Sequence, residues 1–68
     1  MGRAIEVVFY REGDQWVAQA LNVDVSSFGD SFDEARSAIR EALELYFEDE
    51  PDAPIPEAAD IRVEELLV

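Results

Sequence analysis

The stretch SFDEARSAIREALELYFE, residues 31–48, predicts a long helix in this chain of 68 residues. It opens with the capping-box pattern Ser-x-x-Glu. In such a box, the Ser31 hydroxyl accepts a hydrogen bond from the Glu34 backbone N–H, and the Glu34 carboxylate accepts one from the Ser31 backbone N–H. Apolar residues at helical spacing then form one face, which comprises Ala35, Ile39, Ala42, Leu43 and Tyr46. We therefore expect a helix from Phe32 to Phe47 or Glu48 that packs on a sheet.

Three strands are predicted before this helix. Residues 5–11 and 16–21 are rich in β-branched and aromatic side chains, which strands prefer. Gly13 lies in the turn between them and adopts positive φ at no steric cost. The two segments are therefore expected to form a hairpin, and a shorter third strand follows at residues 25–28.

A proline-rich loop and a last strand are predicted after the helix. Pro51, Pro54 and Pro56 prevent regular structure between residues 50 and 57. Residues 61–67 alternate again in the manner of a strand. The order is β-β-β-α-β, an α+β fold in which an antiparallel sheet of three to four strands carries one helix on one face. A chain this short forms a single domain, which we place at residues 1–68.

Charge is the most informative bulk property of the sequence. There are 17 acidic residues against 5 basic ones, all of them arginine, and the net charge is -12. Such a chain repels phosphate backbones, so direct binding of nucleic acid is not expected, whereas a cationic partner is favoured. No run approaches the ~18 apolar residues of a membrane span, and residues 1–10 lack the apolar core of a secretory signal. We expect a cytoplasmic protein without membrane contact.

The residue types present argue against catalysis. The sequence has no His, Cys, Lys or Thr, so its serine and tyrosine hydroxyls have no histidine to activate them. The same absence removes thiolate and imidazole metal ligands. An acidic metal-dependent hydrolase would need carboxylates that converge from different strands, and Glu6 is the one acid in the interior of the first strand. We therefore predict a protein that is not an enzyme, with no catalytic residue, no metal site and no cofactor.

Apolar surface and negative charge are what the sequence offers to a partner. Val8 and Tyr10 alternate with the core-facing residues of the first strand and remain uncovered by one helix. Aromatic residues are enriched at interface hot spots, so we predict Tyr10 and Trp16 as partner-binding anchors. Eight acids and no base lie between Arg40 and Arg62. The acids that we predict to steer a partner electrostatically are Glu48, Asp49, Glu50 and Asp52.

Three ordered segments resemble the HicB family of antitoxins. They are GDQWVAQAL (residues 13–21), VDVSSFGDSFDEA (residues 23–35) and IREALELYFE (residues 39–48). The family pattern is an aromatic-x-Ala strand, a short strand that ends in Ser-x-Gly-(Asp/Glu)-(Thr/Ser), and a helix that contains Glu-Ala and Ala-Leu-x-Leu-Tyr. The resemblance covers residues 5–48, with the proline loop and last strand in the expected order.

The resemblance implies both a fold and a partner. The fold would be similar to a truncated ribonuclease H layout without its catalytic carboxylates. The partner would be a small basic HicA-like toxin that cleaves mRNA, and this chain would bind and neutralise it. Two departures stand out: NVDV (residues 22–25) replaces a Pro-x-x-Pro-Gly-Cys-like stretch, and the chain stops at Val68. We therefore expect no C-terminal DNA-binding domain and no promoter binding.

An alternative function remains open on the same residues. The chain can instead be an orphan HicB-like domain that forms a homo-oligomer, a dimer or a higher assembly, with a structural or unknown small-ligand-binding role. The uncovered sheet face or a strand edge would then form the interface between copies.

Overall fold

The computed structural model describes residues 2–68. Within this range the chain forms strands β1 (Val7–Glu12), β2 (Gln15–Ala20) and β3 (Ser26–Gly29), followed by helix α1 (Phe32–Asp49). The strands make one antiparallel sheet in the order β1-β2-β3, and α1 packs on one face of it. The predicted α+β class, with one helix on one face of a three-stranded antiparallel sheet, is confirmed.

The hairpin between β1 and β2 closes through a two-residue turn. Gly13 has a φ of 64°, the left-handed conformation that glycine adopts most readily. The register pairs Glu12 with Gln15 next to the turn and Val7 with Ala20 at the open end. The predicted hairpin is therefore confirmed, and the strand bounds differ from the predicted ones by one or two residues.

The start of α1 shows the predicted serine cap. Ser31 has an extended backbone, and its Oγ accepts a hydrogen bond of 3.1 Å from the backbone N–H of Glu34. The return bond differs from the prediction, because Glu34 Oε1 accepts from the backbone N–H of Asp30 at 3.1 Å, one residue before the cap. Two backbone N–H groups at the helix entry are thereby satisfied.

Replacing the cap serine tests how much this local interaction contributes to stability. We expect Ser31→Ala to lower the free energy of unfolding by about 1 kcal/mol, because one N–H of the first helical turn loses its acceptor. Urea denaturation followed by far-UV circular dichroism measures the change. Ser37→Ala is the matched control, since Ser37 is an exposed residue inside α1 and alanine favours helix. Equal urea midpoints for Ser31→Ala and the parent chain would contradict the assigned role.

The core lies between α1 and the helix-facing side of the sheet. Ala18 and Ala35 are fully buried and pack with Ile39. The ring of Phe32 closes one end of this core, with centroids 4.8 Å from Phe9 and 5.7 Å from Trp16. The predicted helical face is confirmed for Ala35 and Ile39. It also extends to the buried Phe47, which the prediction left out.

Helix α1 is not centred on the sheet. Its backbone lies close to β3 and β2 and barely approaches β1. The close approach to β3 depends on Gly29, where a Cβ would lie 2.6 Å from the backbone nitrogen of Ala35. The helix-facing side chains of β1, Val7 and Phe9, are consequently only partly covered.

A buried asparagine connects three distant segments. Asn22 is 6% exposed, and its Oδ1 accepts a hydrogen bond of 2.8 Å from the backbone N–H of Glu6. Its Nδ2 donates to Glu6 Oε1 at 2.8 Å and to the carbonyl oxygen of Pro56 at 2.9 Å. The side chain thus joins the entry to β1, the exit from β2 and the proline loop.

The predicted last strand is wrong. Within residues 2–68 the sheet has no fourth strand, and residues 61–68 are exposed throughout. The radius of gyration of 13.1 Å exceeds the roughly 11 Å of a compact chain of this length, in keeping with a terminal segment that extends from the core. The alternating pattern predicted a strand, but a strand also needs a hydrogen-bonding neighbour, which no pattern within the segment supplies.

Candidate partner-binding surfaces

The face of the sheet away from α1 carries an apolar row that crosses all three strands. Side chains alternate along a strand, so Tyr10, Val17 and Phe28 share this face. The register pairs Tyr10 with Val17 and Val17 with Phe28. Tyr10 is 46% exposed and Phe28 is 63% exposed. We call these three residues, together with Val8, the outer sheet surface, and an exposed cluster of this kind is typical of protein-binding sites.

The charges around the outer sheet surface are acidic. Glu12 shares the outward direction of Tyr10. The exposed Asp14 lies in the hairpin turn, and the exposed Asp30 follows β3 at the same end of the sheet. Arg11, the one arginine within the three strands, alternates to the other face. A partner that covers this face therefore meets apolar side chains with acids beside them.

The two predicted anchors lie on opposite faces of the sheet. Tyr10 points away from α1, whereas Trp16 points toward it and contacts the Phe32 ring edge-on. The structure therefore does not bring Tyr10 and Trp16 together. It places Phe28 in the same row as Tyr10 instead, with Val17 between them, and sequence reasoning missed Phe28. The sequence pattern placed Phe28 in the predicted third strand. Only the pairing register of the strands shows which side chains lie in the same row.

The four predicted steering acids lie together at the end of α1. Glu48 and Asp49 occupy its last turn, Glu50 is the C-cap, and Asp52 follows in the next turn; all four are exposed. This acidic segment belongs to the helix side of the sheet, away from Tyr10. The last turn of α1 contains no basic residue, although a positive charge there would interact favourably with the helix dipole.

Arg3 brings positive charge to this helix end from the other end of the chain. Its guanidinium carbon lies 4.5 Å from the centroid of the Phe47 ring, and its Nη2 donates a 2.9 Å hydrogen bond to the carbonyl oxygen of Pro51. The contact combines a cation–π interaction with a favourable charge near the helix C-terminus. Acids at this helix end thus have a cation nearby, which the helix sequence alone does not provide.

An open groove of about 760 Å³ lies between β1 and α1, where the offset helix leaves β1 partly uncovered. We call it the β1–α1 groove. Apolar side chains from both elements line its floor, namely Ile5, Val7, Phe9, Ile39, Leu43 and Phe47. Three of the five arginines in the chain and two glutamates also line it, namely Arg3, Arg36, Arg40, Glu44 and Glu48. Sequence reasoning missed this groove because it assumed a helix that covers the sheet and a fourth strand.

Within residues 2–68, no three acidic side chains are grouped so that they could hold a metal ion. In the same range every buried side-chain nitrogen and oxygen has a hydrogen-bond partner. No helix in this described part of the chain has both the length and the apolarity needed to cross a bilayer.

Comparison with known proteins assigns no family to the chain. No family model, no curated protein and no solved structure matches it. Function is therefore inferred from the surfaces described above and from the ordered sequence motifs.

Proposed function

We propose that this protein is an antitoxin-like binding module that neutralises a small basic toxin by covering the surface with which the toxin holds mRNA. The outer sheet surface carries this proposal. It exposes Tyr10 and Phe28 in one row across the sheet, with Val17 between them, on a chain with a net charge of -12. In this proposal the protein is not an enzyme, and it acts in the cytoplasm, where mRNA is found.

The chemistry of the outer sheet surface suits such a partner. Aromatic side chains contribute large contact areas at little cost in conformational entropy, which makes Tyr10 and Phe28 the expected anchors. An mRNA-cleaving protein must present cationic side chains to phosphates, and an acidic module competes with RNA for that same surface. Opposite potentials also accelerate encounter, which assigns the acidic segment a steering role rather than a contact role.

The HicB-like assignment is part of this proposal. It is supported by the three motif segments and by the β-β-β-α order in which they fold. A truncated ribonuclease H-like layout would add a fourth strand beside β1, and that position is open in the structure of one chain.

A charge placed on the outer sheet surface tests the proposal. The tagged protein is purified from its native host as the parent chain, as Phe28→Lys and as Leu45→Lys. We expect the parent chain to retain a small basic protein, and Phe28→Lys to weaken that complex by about thirtyfold or more, because an aromatic anchor is lost and a like charge is added. Leu45→Lys is the matched control, since Leu45 is also an exposed apolar residue but lies on α1. Circular dichroism verifies that both variants are folded.

The identity of the retained protein completes this test. Expressed alone, it should cleave mRNA and stop growth, and co-expression of the parent chain should restore growth. The proposal is wrong if no small basic protein is retained, or if Phe28→Lys and Leu45→Lys retain it equally. A retained protein without mRNA-cleaving activity would rule out the antitoxin role.

A further inference from the structure

The C-terminal residues expose apolar side chains that nothing in the single chain covers. We call residues 61–68 the tail. Ten large apolar side chains are exposed in the described part of the chain, and five of them lie in the tail: Ile61, Val63, Leu66, Leu67 and Val68. Leu67 alone is 96% exposed. Half of the exposed large apolar side chains thus belong to eight residues that alternate like a strand but have no sheet neighbour.

The β1–α1 groove lies beside a sheet edge, and a sheet edge is the neighbour that the tail lacks. Strand β1 forms one edge of the sheet, so its outer backbone groups have no partner strand in the described chain. The groove beside it has an apolar floor, and its charged lining along α1 runs from Arg36 and Arg40 to Glu44 and Glu48, with Arg3 also lining the groove. A segment that fits must therefore be extended, apolar on one side, and acidic where it passes the arginines.

We propose that the tail of a second copy fills the β1–α1 groove and pairs with β1 as a fourth strand, and that the exchange is reciprocal. Eight extended residues span about 26 Å, and the six residues of β1 span about 20 Å, so the tail covers the full length of the edge. Two tails and two grooves then form a closed dimer with twofold symmetry.

The charges of the two parts match in this arrangement. When the tail is extended, Ile61, Val63 and Leu67 share one side, and Glu65 lies on that same side. With this side turned to the apolar floor, Glu65 faces the helix that carries Arg36 and Arg40. Glu64 points the other way, to the outer side of the sheet.

The chain's own tail does not occupy this position in the structure. Asn22 holds the carbonyl oxygen of Pro56 beside Glu6, and Asp60 then turns the backbone with a φ of 55°. From there the tail leads into solvent rather than along β1. A partner of another kind would cover the groove but leave the tail exposed. A second copy covers the groove and the inward side of the tail at once, because each chain supplies one tail and one groove.

The exchange does not depend on the proposed antitoxin function. It uses the edge of β1 and the helix side of the sheet, whereas the toxin is expected on the outer sheet surface. Both outer sheet surfaces of the dimer remain free, so the dimer would bind two toxin molecules. Phe28→Lys tests the toxin and leaves the groove intact, which keeps the two proposals distinguishable.

A charge exchange between groove and tail tests the proposal on the full chain. Light scattering of the parent chain should give twice the 7.7 kDa of one chain. The groove variant Arg36→Glu/Arg40→Glu and the tail variant Glu65→Arg should each raise the dimer dissociation constant by about tenfold or more, because like charges then meet in both grooves. Mixing the two variants should restore a one-to-one heterodimer, since both of its grooves contain opposite charges.

Glu64→Arg is the matched control, because it makes the same change of charge one residue away on the other side of the strand. It should dimerise like the parent chain. The proposal is overturned by a parent chain that stays monomeric at its highest soluble concentration, by a dimer that neither charge variant weakens, by equal weakening in Glu64→Arg and Glu65→Arg, or by a mixture that does not restore the dimer. Circular dichroism shows whether each variant is folded before its mass is measured.

Discussion

Asn22→Ala should lower the free energy of unfolding by about 3 kcal/mol, since each of the three lost hydrogen bonds contributes about 1 kcal/mol. The substitution leaves the Glu6 backbone N–H and the Pro56 carbonyl oxygen without a partner in a partly buried setting. Total stability for a domain of this length is roughly 3–10 kcal/mol, so this single change removes a large part of it. Urea denaturation followed by Trp16 fluorescence and circular dichroism measures the loss.

A second set of variants separates the hydrogen bonds of Asn22 from its volume. Asn22→Asp keeps the shape but places two carboxylates at hydrogen-bond distance, so it should destabilise about as much as Asn22→Ala. Adding Glu6→Gln restores a donor and should recover about half of the loss. Glu6→Gln alone keeps the carbonyl that Asn22 Nδ2 needs and should behave like the parent chain. A value for Asn22→Ala within about 0.5 kcal/mol of the parent chain, the size of an ordinary surface substitution, would refute the assigned role.

Gly29→Ala is expected to lower the free energy of unfolding by about 2–3 kcal/mol. The added methyl would lie 2.6 Å from the Ala35 backbone nitrogen and 2.7 Å from the Glu34 Cβ. Neither atom belongs to the far end of a flexible side chain, so the first turn of α1 must move away from β3. That movement separates the fully buried Ala18 and Ala35, which form the centre of the small core.

Gly2→Ala is the matched control for this substitution, because a Cβ at Gly2 has no atom within 4 Å. It should leave the urea midpoint unchanged, while Gly29→Ala lowers it. Equal midpoints for the two variants would show that α1 shifts on the sheet without cost. The helix offset that opens the β1–α1 groove would then need another cause.

The sequence by itself determined the conformation of each element. The Ser31 cap, the Gly13 turn and the alternation of the first two strands are interactions among residues a few positions apart, and the structure shows all three. The apolar face of the helix was likewise visible in its spacing at Ala35 and Ile39, whereas the buried Phe47 was not predicted. These features could be predicted because helix capping, turn conformation and side-chain direction depend on local backbone geometry.

The tertiary structure alone decided which elements meet. Only the register aligns Tyr10, Val17 and Phe28 in one row across the sheet and leaves Trp16 on the other face. Only the packing of α1 against Gly29 opens the groove, and Asn22 bonds to a carbonyl 34 positions along the chain. The alternation of the tail predicted a strand, and within residues 2–68 the sheet gives that segment no neighbour. Pairing and packing are fixed by the shapes and charges of segments that are distant in sequence, and a local pattern does not contain that information.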